Sequence, residues 1–183
     1  EYNEAGDHTY TISEKAGNEA GVTYDTATHE VTVKVTDNGQ GKLVATVTDN
    51  NPTFTNTYVA SSTQVTFTAK KVLEGKELVK DQFKFELKEG DTVVATATNA
   101  ADGTVTFKAI EYATAGKHTY TITEVDSKEE NVTYDTAKHE VTVEVVDNGT
   151  GQLVTTVTGN NPTFTNTYTE PKKEEPKEGP KGE

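Results

Sequence analysis

The chain has 183 residues, a net charge of −13 and 32% hydrophobic residues, and contains no Cys, Met or Trp. Without cysteine there is neither a disulfide framework nor a thiolate metal site. The acidic balance, with no basic stripe to meet phosphates, argues against nucleic acid and anionic membrane surfaces as partners. No segment approaches the roughly 18 apolar residues that would insert across a bilayer.

High charge with modest apolar content also fits a disordered chain. Before residue 170, however, Thr alternates regularly with Val, Phe and Tyr. β-branched residues lose little on a pleated surface, so the alternation favours strands.

In chain order, the first landmarks are HTYTI at 8–12, VTYDTA at 22–27 and NPTFTNTY at 51–58; each returns, at 118–122, 132–137 and 161–168. Residues 1–58 align onto 111–168 at a constant offset of 110 without a gap, with 41 of 58 positions identical. The chain therefore reads as a tandem repeat of about 110 residues. Residues 60–169 form a complete unit, and 1–58 form the C-terminal half of a truncated one.

Within the complete unit, period-two segments place strands near 64–73, 82–88, 92–98, 103–110, 117–125, 131–135, 139–146, 152–158 and 162–168. One helical turn is expected at 76–81. Asp102-Gly103 and Asn148-Gly149 are turn dipeptides between strands. The expected fold is all-β, an immunoglobulin-like antiparallel β-sandwich. Residues 170–183 (EPKKEEPKEGPKGE) have no apolar residue and read as a disordered Pro/Lys/Glu-rich linker. The chain opens at Glu1 with no initiator Met and no signal peptide, so it reads as a fragment or mature segment.

Strand phase singles out three polar residues. Side chains at i, i+2 and i+4 share a face. Lys71 thus falls in line with Val65, Phe67 and Ala69, while Lys70 points to water. Glu124 shares a face with Tyr120 and Ile122, and Asn166 with Phe164 and Tyr168. An unpaired buried charge costs several kcal/mol, so such residues need partners or an altered protonation state. Desolvation lowers a lysine pKa and raises that of a glutamate. A neutral amine beside a protonated acid and a carboxamide suits attack of Lys Nζ on Asn Cγ, with loss of ammonia. On phase alone, a lysine snorkelling outward or a plain Glu–Lys salt bridge is the commoner arrangement.

The run VTFTAKKVLEGKEL, then QFKFEL, YTITE, VTYD, DNGTGQLV and the closing FTNTY together resemble the streptococcal pilin isopeptide linkage family. The likeness covers 64–168 in full and 1–58 as a C-terminal half. It implies a β-sandwich repeat of Gram-positive pilins and surface adhesins, cross-linked between a Lys on the first strand and an Asn on the last. Carried over by motif, Lys71 is the amine, Asn166 the acceptor and Glu124 the catalytic acid.

In the half-unit, Glu14 and Asn56 match Glu124 and Asn166. Lys15 and Lys34 lie on no matching first strand, so no cross-link is expected there, and Glu14 and Asn56 are expected to lack a lysine partner and stand exposed. The segment has no pilin lysine motif of the YPK type and no LPXTG-like sorting signal.

His118 and His139, with their repeats His8 and His29, read as structural residues of the sheet, since zinc needs several converging ligands. The Asp37-Asn38-Gly39 and Asp147-Asn148-Gly149 runs resemble pieces of calcium loops. Lacking the remaining acidic ligands, they read as hairpin turns. No cofactor or metal is implied. The expected function is a structural stalk repeat on an extracellular, cell wall-anchored surface. It is not an enzyme beyond a single self-cross-linking event. Its expected partners are neighbouring repeats of the same chain, with a host-surface ligand as a further partner. The alternative is an adhesin binding module recognising host protein or glycan.

Overall fold

Alternating Thr and apolar residues give strands from Gly6 through to Tyr168. A computed structural model describes residues 1–174 and contains sixteen strands and no helix among the described residues. No helix among them is long and apolar enough to cross a membrane. From residue 175 onward, the linker expected over 170–183 lies outside the described residues. The chain divides into two compact units: Glu1–Ser61 with Asp147–Gln152, and Ser62–Val146 with the chain from Leu153 onward.

The second unit is a two-layer β structure. One layer is a five-stranded sheet in the order β15 (Leu153–Thr158), β14 (His139–Asp147), β12 (Gly116–Val125), β8 (Lys84–Glu89), β9 (Thr92–Thr98). The other is a four-stranded sheet in the order β10 (Thr104–Thr106), β7 (Thr68–Glu74), β16 (Thr163–Tyr168), β13 (Val132–Thr133). A short pair, β6 (Thr63–Val65) with β11 (Ile110–Tyr112), flanks them. Aromatic rings join the layers: Phe67 meets Tyr120 edge-on at 4.9 Å, and Phe85 of β8 meets Phe164 of β16 at 5.3 Å. Such pairs add about 0.5–1.5 kcal/mol each beyond their area burial.

The pairings β12–β14, β12–β8 and β8–β9 are antiparallel, as expected of the sandwich. The last strand, β16, instead lies parallel to β7, with Thr163 opposite Lys70 and Asn166 opposite Leu73. An asparagine corner fixes this register. The Asn160 side chain accepts from the Thr68 amide and donates to the Thr66 carbonyl. Asn161, at φ 65°, donates its amide to the Thr68 carbonyl. The Lys70 amide then donates to the carbonyl of Pro162.

Three local expectations differ from the structure. The single strands expected at 64–73 and 103–110 are both broken, and the breaks face one another. The first segment pairs with β11 before its break and β10 after it, with the Phe107 amide donating to the Phe67 carbonyl between them. The strand expected at 131–135 is formed only at Val132–Thr133, because the Asp135 amide turns out of the ladder to bond the Asn166 side chain. No helical turn forms at 76–81. That loop is organised by Asn99, which is 1% exposed. Asn99 donates to the Val79 carbonyl and accepts from the Phe83 amide.

The first unit carries a three-stranded sheet, β1 (Gly6–Ser13), β3 (Thr28–Asp37), β4 (Leu43–Thr48), and a two-stranded piece, β2 (Val22–Thr23) with β5 (Thr57–Tyr58). Its Asp37–Lys42 turn spends its acceptors on its own backbone. Asp37 Oδ1 takes the Gly39 amide and Asn38 Oδ1 takes that of Gln40.

Candidate functional site

Lys71 occupies the position that strand phase assigned it. It follows the buried residues Phe67 and Ala69 inward and is 2% exposed, while Lys70 faces solvent. Gly103, at φ 90°, lies against it from β10's approach. The Lys71 amide donates to the Gly103 carbonyl, and a Cβ at 103 would collide with the Lys71 carbonyl oxygen. Only glycine lets the turn come this close.

Glu124 sits near the end of β12, opposite Phe85 of β8 and past the last residue paired with β14. Asn166 is fully buried in β16.

The structure brings these three together. Lys71 Nζ donates to Glu124 Oε2 at 2.9 Å, and both side chains are wholly removed from solvent. Asn166 Nδ2 donates to the other oxygen, Oε1, at 2.7 Å. One carboxyl group therefore holds the amine and the carboxamide at once. The ring of Phe83, itself fully buried, lies 4.6 Å from Nζ and helps exclude water.

Burial acts on both charged groups in the direction that discharges them. It pushes the Lys71 ammonium down from its ordinary range, against the opposing pull of its bond to Glu124. It pushes the Glu124 carboxyl up, against the same bond and that from Asn166. Burial thus works toward proton transfer from lysine to glutamate, against the ion pair between them.

A fourth participant was not apparent from side-chain phase. The main-chain amide of Asp135 donates to Asn166 Oδ1 at 2.7 Å. The Asp135 carboxylate in turn accepts the amides of Thr165 and Ala137, both at 2.9 Å. Burial works to raise this carboxyl, but those two amides, together with the charges of Lys71 and His139, hold it below the usual range. Asp135 is thus an anchored anion that clamps the loop after β13 onto β16. The clamp aims its own N–H at the one atom that gains negative charge if Asn166 Cγ is attacked, which is the geometry of an oxyanion hole.

In the first unit, Glu14 and Asn56 meet each other. Asn56 Nδ2 donates to Glu14 Oε1 at 2.7 Å, and the Asp25 amide donates to Asn56 Oδ1 at 2.8 Å. Asn56 is exposed, as expected, and Glu14 half-buried. Lys15 and Lys34 are both exposed.

The histidines lie in packing positions. His118 Nδ1 is 3.0 Å from Glu89, and the ring of His139 meets Phe164 edge-on at 4.9 Å.

The sequence matches the family described as Spy0128-like isopeptide containing domain (FctA) over residues 1–59 and 67–169. Two solved structures are similar. One is a major pilin protein of Streptococcus pyogenes, 18% identical, with 92% of this chain and 69% of that chain covered at a TM-score of 0.26. The other is a point mutant of the major pilin of the same organism, 20% identical, with 92% and 72% covered at a TM-score of 0.26. No curated protein matches the sequence. The family match runs through both copies of the repeat and takes in Lys71, Glu124 and Asn166, and the chain belongs to the Spy0128-like isopeptide containing domain family.

Proposed function

We propose that the chain is a stalk segment of a bacterial surface pilus or adhesin, in which Lys71 and Asn166 condense into an intramolecular isopeptide bond promoted by Glu124. One observation carries this reading: a single buried carboxyl group bonds Lys71 Nζ through one oxygen and Asn166 Nδ2 through the other.

The chemistry follows from that bridge. The Lys71 ammonium passes a proton to Glu124, leaving a neutral amine whose lone pair attacks Asn166 Cγ. Charge gathers on Oδ1, where the Asp135 N–H meets it. Glu124 delivers its proton to Nδ2 and, again a carboxylate, takes the second proton from Nζ. The Cγ–Nδ2 bond breaks and ammonia leaves. One C–N bond has formed and one has broken; two protons have left Nζ and one has reached Nδ2, and the remaining one leaves with the ammonia as ammonium, returning Glu124 to the carboxylate it was at the start. The acceptor amide is consumed, so the event is maturation of the fold and happens once per site.

The bond would join the first and last strands of the unit, which suits a segment that transmits tension on an extracellular, wall-anchored surface. Intact-mass measurement tests the reading. The chain is expected one ammonia lighter than its sequence mass, with a branched proteolytic fragment joining the peptides of Lys71 and Asn166. A chain of full sequence mass overturns it.

A further inference from the structure

The Asp37–Lys42 turn between β3 and β4 holds a second carboxamide among groups that can act on it. We propose that Asn38 is a self-modification site, at which the folded turn closes the carboxamide onto the Gly39 nitrogen and water then leaves aspartate or isoaspartate in its place.

Three features converge on Asn38. The Gly39 nitrogen is the next main-chain atom able to reach Cγ by closing a small ring, which makes the attack intramolecular. Glycine carries no side chain to obstruct it, and the space beside Gly39 is open. The Gly39 N–H donates to Asp37 Oδ1 at 2.8 Å, so a carboxylate already holds the proton that has to be removed. Asn38 Oδ1 accepts the amides of Gln40 at 2.8 Å and Lys42 at 3.2 Å, so two main-chain donors stand where negative charge would gather. All six residues of the turn are exposed, and water reaches them.

In the reaction, Asp37 takes the proton from the Gly39 nitrogen as that nitrogen bonds to Asn38 Cγ, and passes it to Nδ2. The Cγ–Nδ2 bond breaks, ammonia leaves and a cyclic imide remains. Water opens the imide at either carbonyl, giving aspartate, or isoaspartate when the main chain is rerouted through the side chain. One water enters for one ammonia lost, so the change differs in mass from the loss expected at Asn166. Isoaspartate lengthens the main chain where the Asn38 amide bonds the Lys42 carbonyl, which loosens the closure of β3 on β4. The change is irreversible and accumulates with the age of the protein.

The chain carries its own control. Asn148 sits in the same network: the Gly149 amide donates to Asp147 Oδ1, and those of Thr150 and Gln152 donate to Asn148 Oδ1. Residues Asp147–Gln152 belong to the first unit, and there Tyr58 restrains them. The Tyr58 hydroxyl donates to Asp147 Oδ1 at 2.8 Å, drawing on the charge of the base, and accepts the Gly151 amide at 3.0 Å. Gly151 is buried, and a Cβ there would collide with Ala20, whereas Gly41 is exposed with open space around it. Ring closure needs the turn to rotate, so the pinned turn should resist it and the free one allow it.

The test incubates the full chain at mildly alkaline pH, folded and in denaturant, and quantifies aspartate and isoaspartate at 38 and 148 by peptide mapping. Unfolded, the two Asp-Asn-Gly sites should convert alike. Folded, position 38 should convert several-fold faster than 148 and faster than in the unfolded chain. Asp37→Ala should slow conversion at 38 by about tenfold or more. Tyr58→Phe should raise the rate at 148 and leave that at 38 unchanged. A folded chain whose Asn38 converts no faster than in denaturant overturns the proposal, because the turn would then protect the carboxamide. So does an Asp37→Ala chain that converts at an equal or higher rate.

Discussion

The pair Lys71 and Glu124 is held without solvent, and each residue is displaced by burial toward its uncharged form. Single substitutions should therefore behave as a group: Lys71→Ala, Glu124→Ala or Asn166→Ala should each restore the full sequence mass. Lys70→Ala should keep the ammonia deficit, because that side chain is in water. The protonation equilibria give a separate prediction for Asn166→Ala, where amine and acid stay unreacted. Glu124 is raised above its ordinary 4.5, so its stabilising contribution is full below that pH and lost as pH rises through the folded value. Lys71 is lowered below its ordinary 10.5, so its contribution is full above that pH and lost as pH falls through the folded value. The melting temperature of Asn166→Ala should thus pass through a trough between the two folded values. The cross-linked protein, whose lysine is an amide, should lack the alkaline rise. An alkaline rise of the same size in both proteins would mean that Lys71 still titrates. At this scale the sequence was legible for side chains and blind to main chain. Period-two phase brought Lys71, Glu124 and Asn166 to one face of the core, whereas the Asp135 amide could not be read from residue type, since every residue but proline has one.

Between elements, the placement of Lys71 depends on the approach of the turn before β10. Gly103→Ala should push the Lys71 carbonyl away and shift β7 against β16, slowing appearance of the ammonia deficit in pulse-labelled protein. An unchanged rate would show that β7 has room to absorb the methyl group. The element pattern was largely visible in the alternation of Thr with apolar residues, and the Asp102-Gly103 and Asn148-Gly149 dipeptides marked turns correctly. What alternation could not show was a change of partner within one continuous run. Residues 64–73 keep their inward and outward phase on both sides of the break while passing from β11 to β10 and β16. The loop at 76–81 was misread because its order comes from Asn99, roughly twenty residues away. The half-repeat offers a further check at this scale. Its β1 lacks the cover that β8 gives β12, so amide exchange in residues 1–58 should be much faster than in 64–168. Equal protection in a verified monomer would show that the half-repeat is closed by means of its own.

For the molecule as a whole, the proposed bond would turn residues 71–166 into a closed loop. In the chain-entropy model, closing a loop of about 100 residues contributes roughly 4–5 kcal/mol. Lys71→Ala should lose at least that much stability in denaturant unfolding. Pulled from its ends, the unmutated second unit should extend by little more than the segments outside the bridge, while Lys71→Ala should unravel fully. Full extension of the unmutated unit under the same load would remove the mechanical role.

The parallel register of β7 and β16 adds something that holds even before any bond exists. Parallel neighbours have their starts at the same end, so tension applied at the start of β7 and the finish of β16 runs along the strands. Their hydrogen bonds are then strained in shear, all at once, rather than opened one after another like a zipper. A folded unit can thus bear tension with Lys71 and Asn166 held on neighbouring strands. The weak interactions would guard the alignment that the chemistry needs.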